Sequence, residues 1–310
     1  MIAVTTLVPI TAHVEEIRED GEISRLNMTD EKLVDQHIIE YASRISRDHE
    51  NVSVIHFNSN ITIVGLRALE KMFFHPFQVN VFVGKIRFEE MQWLAGIVGD
   101  PCCSLTILDI ELSFRDLEHF YMLAQALSTS RRIVKLKIQM GTQPGNWRDH
   151  LIYDRFSKEL AALLIHNKSI RWMYLSRFPF QNDHIEVIGE GLKQNSTLTL
   201  LDMWGRNTIN DVGCLSIVTA LKVNTTLTSL TLTGNIQNPD PWTDMIRSNP
   251  IIEKIGLYGD PMIFESNHPA LNGVMINRMR KSKIKSSIMA TGIQNPKIGT
   301  SLFKRLLWQT

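Results

Sequence analysis

Catalysis needs nucleophiles, bases or metal ligands brought together at set spacings, and in this chain such residues are scattered. None of the ten histidines stands at a metal-ligand interval from another ligand. No His-Glu-x-x-His, Gly-x-Ser-x-Gly, Walker A or Cys-x-x-Cys-His pattern occurs. Gly189-Glu-Gly191 begins a phosphate-cradling loop, but Gln194 stands where the third glycine would fall. Cys102-Cys103 follows Asp100-Pro101, which suits a buried turn between helix and strand rather than a redox couple. The acid pairs Glu15/Glu16 and Glu89/Glu90 read as surface charges, not as acid/base partners. A triad assembled from distant segments stays open at this level, because such sites are spatial. No catalytic residue, metal or cofactor is expected, and the chain reads as a binder rather than an enzyme.

Composition narrows the class further. The 310 residues carry 33 basic and 32 acidic side chains, a net charge of +1, so the whole chain is neither a polyanion binder nor an acidic tail protein. Three cysteines, Cys102, Cys103 and Cys214, form no disulfide framework and suit a reducing compartment. The apolar start, Met1 to Thr11, lacks a basic leader and runs into Glu15 and Glu16. No secretory signal or membrane span is expected, and the expected site is the cytoplasm, with the nucleus as the alternative.

The decisive feature is an internal repeat. Leu192-Lys-Gln-Asn195-Ser-Thr-Leu198-Thr-Leu-Leu201-Asp-Met203 aligns without gaps with Leu221 to Leu232 and with Ile246 to Leu257. Each copy reads apolar, then Asn three residues later, then apolar at plus six, nine and eleven. Leu164 to Leu175 fits, and Leu127 to Ile138 fits with Ser130 in the Asn position. Further copies end on Leu105, Leu108 and Ile110 and on Val52, Ile55 and Phe57, with a weaker one near residues 78–83. The middle apolar positions recur every 26 to 29 residues or so, with one longer step that contains Gly141 to Trp147 and a shorter last one.

Apolar residues at alternate places predict a short strand with its inner side chains in a core. The position after each strand is expected to be an Asn that satisfies backbone groups at a bend. Asn60 and Asn235 occupy it, Asn207 one residue late, while Phe178, Ser113 and Asp260 replace it. Between strands the period turns helical. Ile209, Val212, Leu215, Val218 and Leu221 are expected on one buried face; so are Ile185, Ile188 and Leu192, then Leu117, Tyr121, Ala124 and Leu127, then Phe156, Leu160, Leu163 and Leu164. Asn210 or Asp211, Asn182 or Asp183, and Asp240 before Pro241 supply helix starts.

A strand and a helix per copy resembles the ribonuclease-inhibitor-like class of leucine-rich repeats, most specifically over Asn182 to Asn235. That class also occurs in NLR immune receptors, the Ran GTPase-activating protein and tropomodulin. The resemblance implies an α/β fold, a leucine-rich-repeat solenoid of about eight repeats, curved, with parallel strands on the concave face and helices on the convex one. It also implies a protein-binding scaffold or adaptor, with regulation of a small GTPase or of actin assembly as the alternative. Three regions are expected: a helical cap over 1–50 built on a helix at 29–46, repeats over 51–262, and a cap with a basic tail over 263–310.

Residues between the core positions of each strand face the concave side. Trp172, Tyr174 and Trp204 fall on adjacent strands and predict one exposed aromatic patch, with Asp202 beside it. Asp109 and Glu111 neighbour Lys135 and Lys137, and Tyr258 lies on the last strand. These nine residues are the candidate partner-binding set. Cross-strand pairing of the four charges, and cover of the aromatics by the 141–150 insertion, are the competing structural readings. The tail cluster Arg278, Arg280, Lys281, Lys283 and Lys285 is either a solvated helix end, a nuclear signal or a contact for an anionic surface.

Overall fold

The computed structural model describes residues 15–17, 23–28, 34–44, 54–57, 61–74, 80–141, 150–205, 208–234, 238 and 240–258. Its chain alternates strand and helix. In order these are β1 (Glu15–Ile17), β2 (Ile23–Met28), α1 (Asp35–Arg44), β3 (Val54–Phe57), α2 (Ile63–Ala68), β4 (Asn80–Ile86), α3 (Phe88–Gly99) and β5 (Leu105–Leu112). There follow α4 (Phe120–Thr129), β6 (Lys135–Met140), α5 (His150–His166), β7 (Trp172–Ser176), α6 (Asn182–Gln194), β8 (Leu200–Met203), α7 (Asp211–Val223), β9 (Ser229–Thr233), α8 (Asp240–Ser248) and β10 (Lys254–Tyr258).

The strands form one open sheet in sequence order, β1 to β10. Every pairing from β2 onward is parallel, and β1 runs antiparallel to β2 at the edge. Register follows the repeat: Ile55 sits opposite Phe82, Phe82 opposite Leu108, Leu136 opposite Met173, Leu201 opposite Leu230 and Leu230 opposite Ile255. This is a repeat-like α/β architecture. Consecutive helices pack on one another, so they share one face of the sheet, and no helix among the described residues packs on the other. The core lies between: Leu136, Ile138, Leu201, Leu230 and Leu232 from the strands meet Leu160, Ile188, Leu192, Val218 and Leu221 from the helices.

The interaction that keys the later repeats together is a buried asparagine just before each of β7, β8, β9 and β10. The Asn195 amide accepts from Thr197 N (3.0 Å) and Leu198 N (2.7 Å), and donates to Leu164 O (2.6 Å) at the end of the preceding helix. Asn224 accepts from Thr226 and Leu227 N, and donates to Leu192 O (2.8 Å) and Asn195 O (3.0 Å). Asn167 and Asn249 repeat the pattern toward Leu127 O and Leu221 O. All four are buried. One side chain thus closes its own turn and satisfies helix-end carbonyls that would otherwise be orphaned. The Asn residues expected to close the bend after each strand, Asn60, Asn207 and Asn235, lie outside the described residues.

A second tie runs along the helix starts. Asn182 Oδ1 accepts from Asn210 N (3.0 Å) and Gly213 N (3.2 Å) of the next repeat, and Asp35 does the same for Thr62 N (2.7 Å) and Gly65 N (3.2 Å). A Cβ on Gly213 would stand 2.5 Å from Asn182 Oδ1, and one on Gly65 2.6 Å from Asp35 Oδ1. A larger residue at either position would have to push that side-chain oxygen aside and loosen the tie.

Four expectations change. Among the described residues the sheet has ten strands, because β1 and β2 lie in the segment read as a helical cap; that segment also supplies α1. Ile23, Leu26 and Met28 keep the plus six, nine and eleven spacing, and β2 pairs with β3 as any repeat strand would. Val212 and Leu215 are 69% and 51% exposed, whereas Gly213, Cys214, Ile217 and Val218 are buried. Residues spaced by three drift about 60° per step around a helix, so five of them cannot share one face. Tyr121 is likewise exposed, its ring under the Arg155 guanidinium. Finally Glu90 is buried rather than a surface charge: it accepts from Arg87 N (3.2 Å) and pairs with Arg87 Nη2 (2.7 Å) at the start of α3. That hydrogen bond is the first cause holding the Arg87 guanidinium above its ordinary pKa.

Replacing Asn224 with alanine should cost about 2–4 kcal/mol, since two helix-end carbonyls and two turn amides lose their partner at once. Replacing the exposed Ser196 should cost less than about 0.5 kcal/mol. Urea unfolding of the two variants measures both.

Candidate functional site

Strand pairing builds rows across the open face. One row runs Asp109, Lys137, Tyr174, Asp202, Thr231, and the row beside it runs Ile107, Lys135, Trp172, Leu200, Ser229, Lys254. In β7 and β9 the burial alternates as the pleat demands, with Met173, Leu175, Leu230 and Leu232 turned inward. Trp172 is 44% exposed and Trp204, just past the end of β8, is 57% exposed. Both indoles are therefore open to water, and the 142–149 insertion lies outside the described residues.

Register corrects the shape of the aromatic patch. Trp172 stands in the row of Leu200, so Trp204 is displaced four residues along the strand direction, about 13 Å. Tyr174 and Asp202 lie between the two indoles. The patch is a diagonal, with aromatic rings at its ends and a tyrosine–carboxylate pair of residues at its middle.

The charged strands pair across the sheet. Lys137 Nζ donates to Asp109 Oδ2 at 2.7 Å, and Glu111 takes Gln139 Nε2 at 3.4 Å and Lys85 at 3.7 Å. Lys135 Nζ lies 5.1 Å from the Tyr174 ring centroid, a cation–π contact. These four charges are committed to neighbours, while the tryptophans are not buried by any. Tyr258 lies opposite Thr233 in β10; its side chain lies outside the described residues, as does the cluster Arg278, Arg280, Lys281, Lys283 and Lys285.

Asp202 differs from the other acids. Its Oδ1 is buried with no hydrogen-bond partner among the described residues. Burial pushes the carboxyl above its ordinary pKa, against the opposing pull of the Trp204 N–H and the Lys254 charge. A half-buried, half-satisfied carboxylate works against the fold, and such groups gather at functional sites. Next to it the chain turns sharply: Arg177 has φ 66°, and its N–H donates to Trp204 O at 2.9 Å. The turn rests on Phe178, stacked between Phe156 (4.8 Å) and Phe180 (5.1 Å), which fills the place an Asn was expected to take.

Two of the three thiols behave as core, while Cys102 is exposed, so the buried turn expected at Cys102-Cys103 holds for Cys103 alone. Cys103 and Cys214 are buried, and burial pushes Cys103 up and Cys214 to about 12, far from a reactive thiolate. His184 is buried too. Its Nδ1 accepts from Gln181 N (3.0 Å) at the start of α6, while Nε2 faces Asp154 Oδ1 (3.0 Å), an arrangement that caps a helix. Among the described residues no group of three or more His, Cys, Asp or Glu could hold a metal ion, and no helix is long and apolar enough to cross a membrane.

One group escaped the sequence reading. Arg131, Arg132, Lys168 and Arg171 are exposed where the chain enters β6 and β7, at the edge of the open face next to Trp172. Their positions relative to Ser130 and Asn167 could have revealed them, because adjacent copies carry Ser or Thr there.

No protein-family profile and no curated protein matches the chain. Among solved structures it is similar to the actin-binding site 2 of leiomodin-1, at 23% identity and TM-score 0.36, over 49% of this chain and 88% of that one. It is also similar to a Bacteroides fragilis protein at 13% identity and TM-score 0.42, over 72% and 71%. At these scores neither likeness bears on function.

Because the Asp202 carboxyl sits above its ordinary pKa, the folded chain holds that proton longer than the unfolded one. Stability therefore falls as pH rises through the folded value. Asp202→Asn should melt with the native chain at acid pH and above it at neutral pH. Thermal melts across that range check the sign; a gap that closes with rising pH would refute it.

Proposed function

We propose that the chain is a leucine-rich-repeat solenoid of the ribonuclease-inhibitor-like class and serves as a scaffold or adaptor, capturing a partner protein on its strand face. In this reading the open face is concave, the helices form the convex side, and no step of covalent chemistry is involved. The supporting observation is the diagonal of Trp172, Tyr174, Asp202 and Trp204. Two indoles left in water on adjacent strands cost hydration free energy of roughly 25 cal/mol per Å² of apolar area. A partner that covers them recovers it, and tryptophan is the side chain most enriched among interface anchors.

The division of labour between the sheet faces supports the same reading. One face is filled by the core, so substitutions there unfold the stack. The other is free to vary side chain by side chain without touching the asparagine ties. Asp109, Glu111, Lys135 and Lys137 then act as a rim around the diagonal, setting orientation more than affinity.

Replacing Trp172 and Trp204 together with alanine should abolish capture of the partner while leaving the melting temperature within a degree or two or higher, since neither indole is in the core. Capture unchanged in the double variant would refute the site.

A further inference from the structure

Consecutive copies stitch together where the chain enters each strand. Ser169 Oγ donates to Ser130 O (3.0 Å) and Thr197 Oγ1 to Asn167 O (3.3 Å), both two residues after the Asn position. Four residues after it, Thr199 Oγ1 donates to Arg171 O (3.0 Å) and Thr228 Oγ1 to Thr199 O (3.0 Å). Arg132 holds the first of these positions in the β6 copy, and Arg171 holds the second in the β7 copy. Arg132 gives up a hydroxyl tie that Ser104 and Ser169 keep on either side, and Arg171 gives up one that Thr199 keeps on the β8 side, Val134 standing there in the β6 copy. Both are exposed, and neither has an ion pair among the described residues.

Arg131, Lys168 and Lys135 surround them. Arg171 N donates to Val134 O at 2.8 Å and Lys135 lies opposite Trp172, so the five cations occupy two adjacent strand starts, about 4.8 Å apart. Among the acids around them, Asp100 accepts from Cys102 N (2.7 Å) and Asp109 is paired with Lys137; Asp202 stands one row further along on β8, and Glu253 lies three strands from β7, before β10. Lys168 Nζ donates to Ile165 O (2.9 Å) and so serves the end of α5, but helix-dipole compensation does not explain Arg131, Arg132 and Arg171, which lie outside the last helical turn. Beside the cations lie the exposed Trp172 and the half-buried Leu200.

We propose that this edge, Arg131, Arg132, Lys135, Lys168 and Arg171 around Trp172, binds an acidic segment of a partner protein that also presents an apolar side chain to the indole. It rests on the open strand face being the binding surface. Guanidinium groups match carboxylates in bidentate geometry. A nucleic acid fits less well. The cationic zone is two strands wide, and one row further on a phosphate backbone would meet Asp109 and Asp202.

A displayed library of random peptides, selected on the native chain and sequenced, tests this. Selected peptides should combine clustered Asp or Glu with an apolar residue, weaken with added salt, and lose about tenfold or more in affinity toward an Arg131→Glu, Arg132→Glu, Arg171→Glu variant that melts like the native chain. Peptides that depend on Trp172 and Trp204 but carry no acidic bias would overturn this inference and leave the open-face reading standing. Acidic peptides bound equally by the charge-reversed variant would also overturn it. A library that yields nothing dependent on the face would overturn both, and single-stranded poly-uridine bound more tightly than every selected peptide would replace the acidic partner with a nucleic acid.

Discussion

The fold depends on one side chain used four times. A buried asparagine before each of β7 to β10 accepts two backbone N–H bonds from its own turn and donates to carbonyls of the copy before it. Because the same amide serves two copies, it fixes where each strand begins relative to its neighbour. That offset sets the register, and register decides which residues share a row. From β6 to β10 the rows of the open face, Lys137 through Thr231 and Lys135 through Lys254, are consequences of the ladder.

Once the ladder has set the register, the two faces are free to be different. The inner residues of each strand pack against helices whose starts are tied by Asn182 and Asp35 to the next copy. No single copy buries its apolar face alone, so the array stands or falls together. The open face carries the departures from that economy: indoles in water at Trp172 and Trp204, a carboxylate short of a partner at Asp202, a left-handed residue at Arg177, and arginines where hydroxyls would stitch. Each is unfavourable or neutral for the isolated chain, and they lie within three adjacent copies.

Much of this was legible in the residues. The apolar spacing located every strand from β3 onward, and the middle positions pair in the structure as the spacing implies. Exposure of Trp172 and Trp204 followed from alternation alone. What escaped did so for physical reasons. β2 keeps the spacing but has no Asn before it, so its copy was hidden. Val212 and Leu215 share a spacing with buried residues but not an angle around the helix. Glu90 is an acid kept inside by Arg87, which no pattern of single residues reveals. The diagonal form of the patch needed register, and the basic edge needed the hydroxyl ties that its arginines replace.

Side-chain footprinting of the chain alone and with a bound partner tests the central claim most directly, because it reads both faces at once. Labelling of Trp172, Tyr174 and Trp204 should drop on binding, while Leu151, Val212 and Leu215 on the helical side stay as reactive as before. Protection of Val212 and Leu215 with Trp172 and Trp204 unchanged would place the interface on the helices and contradict it.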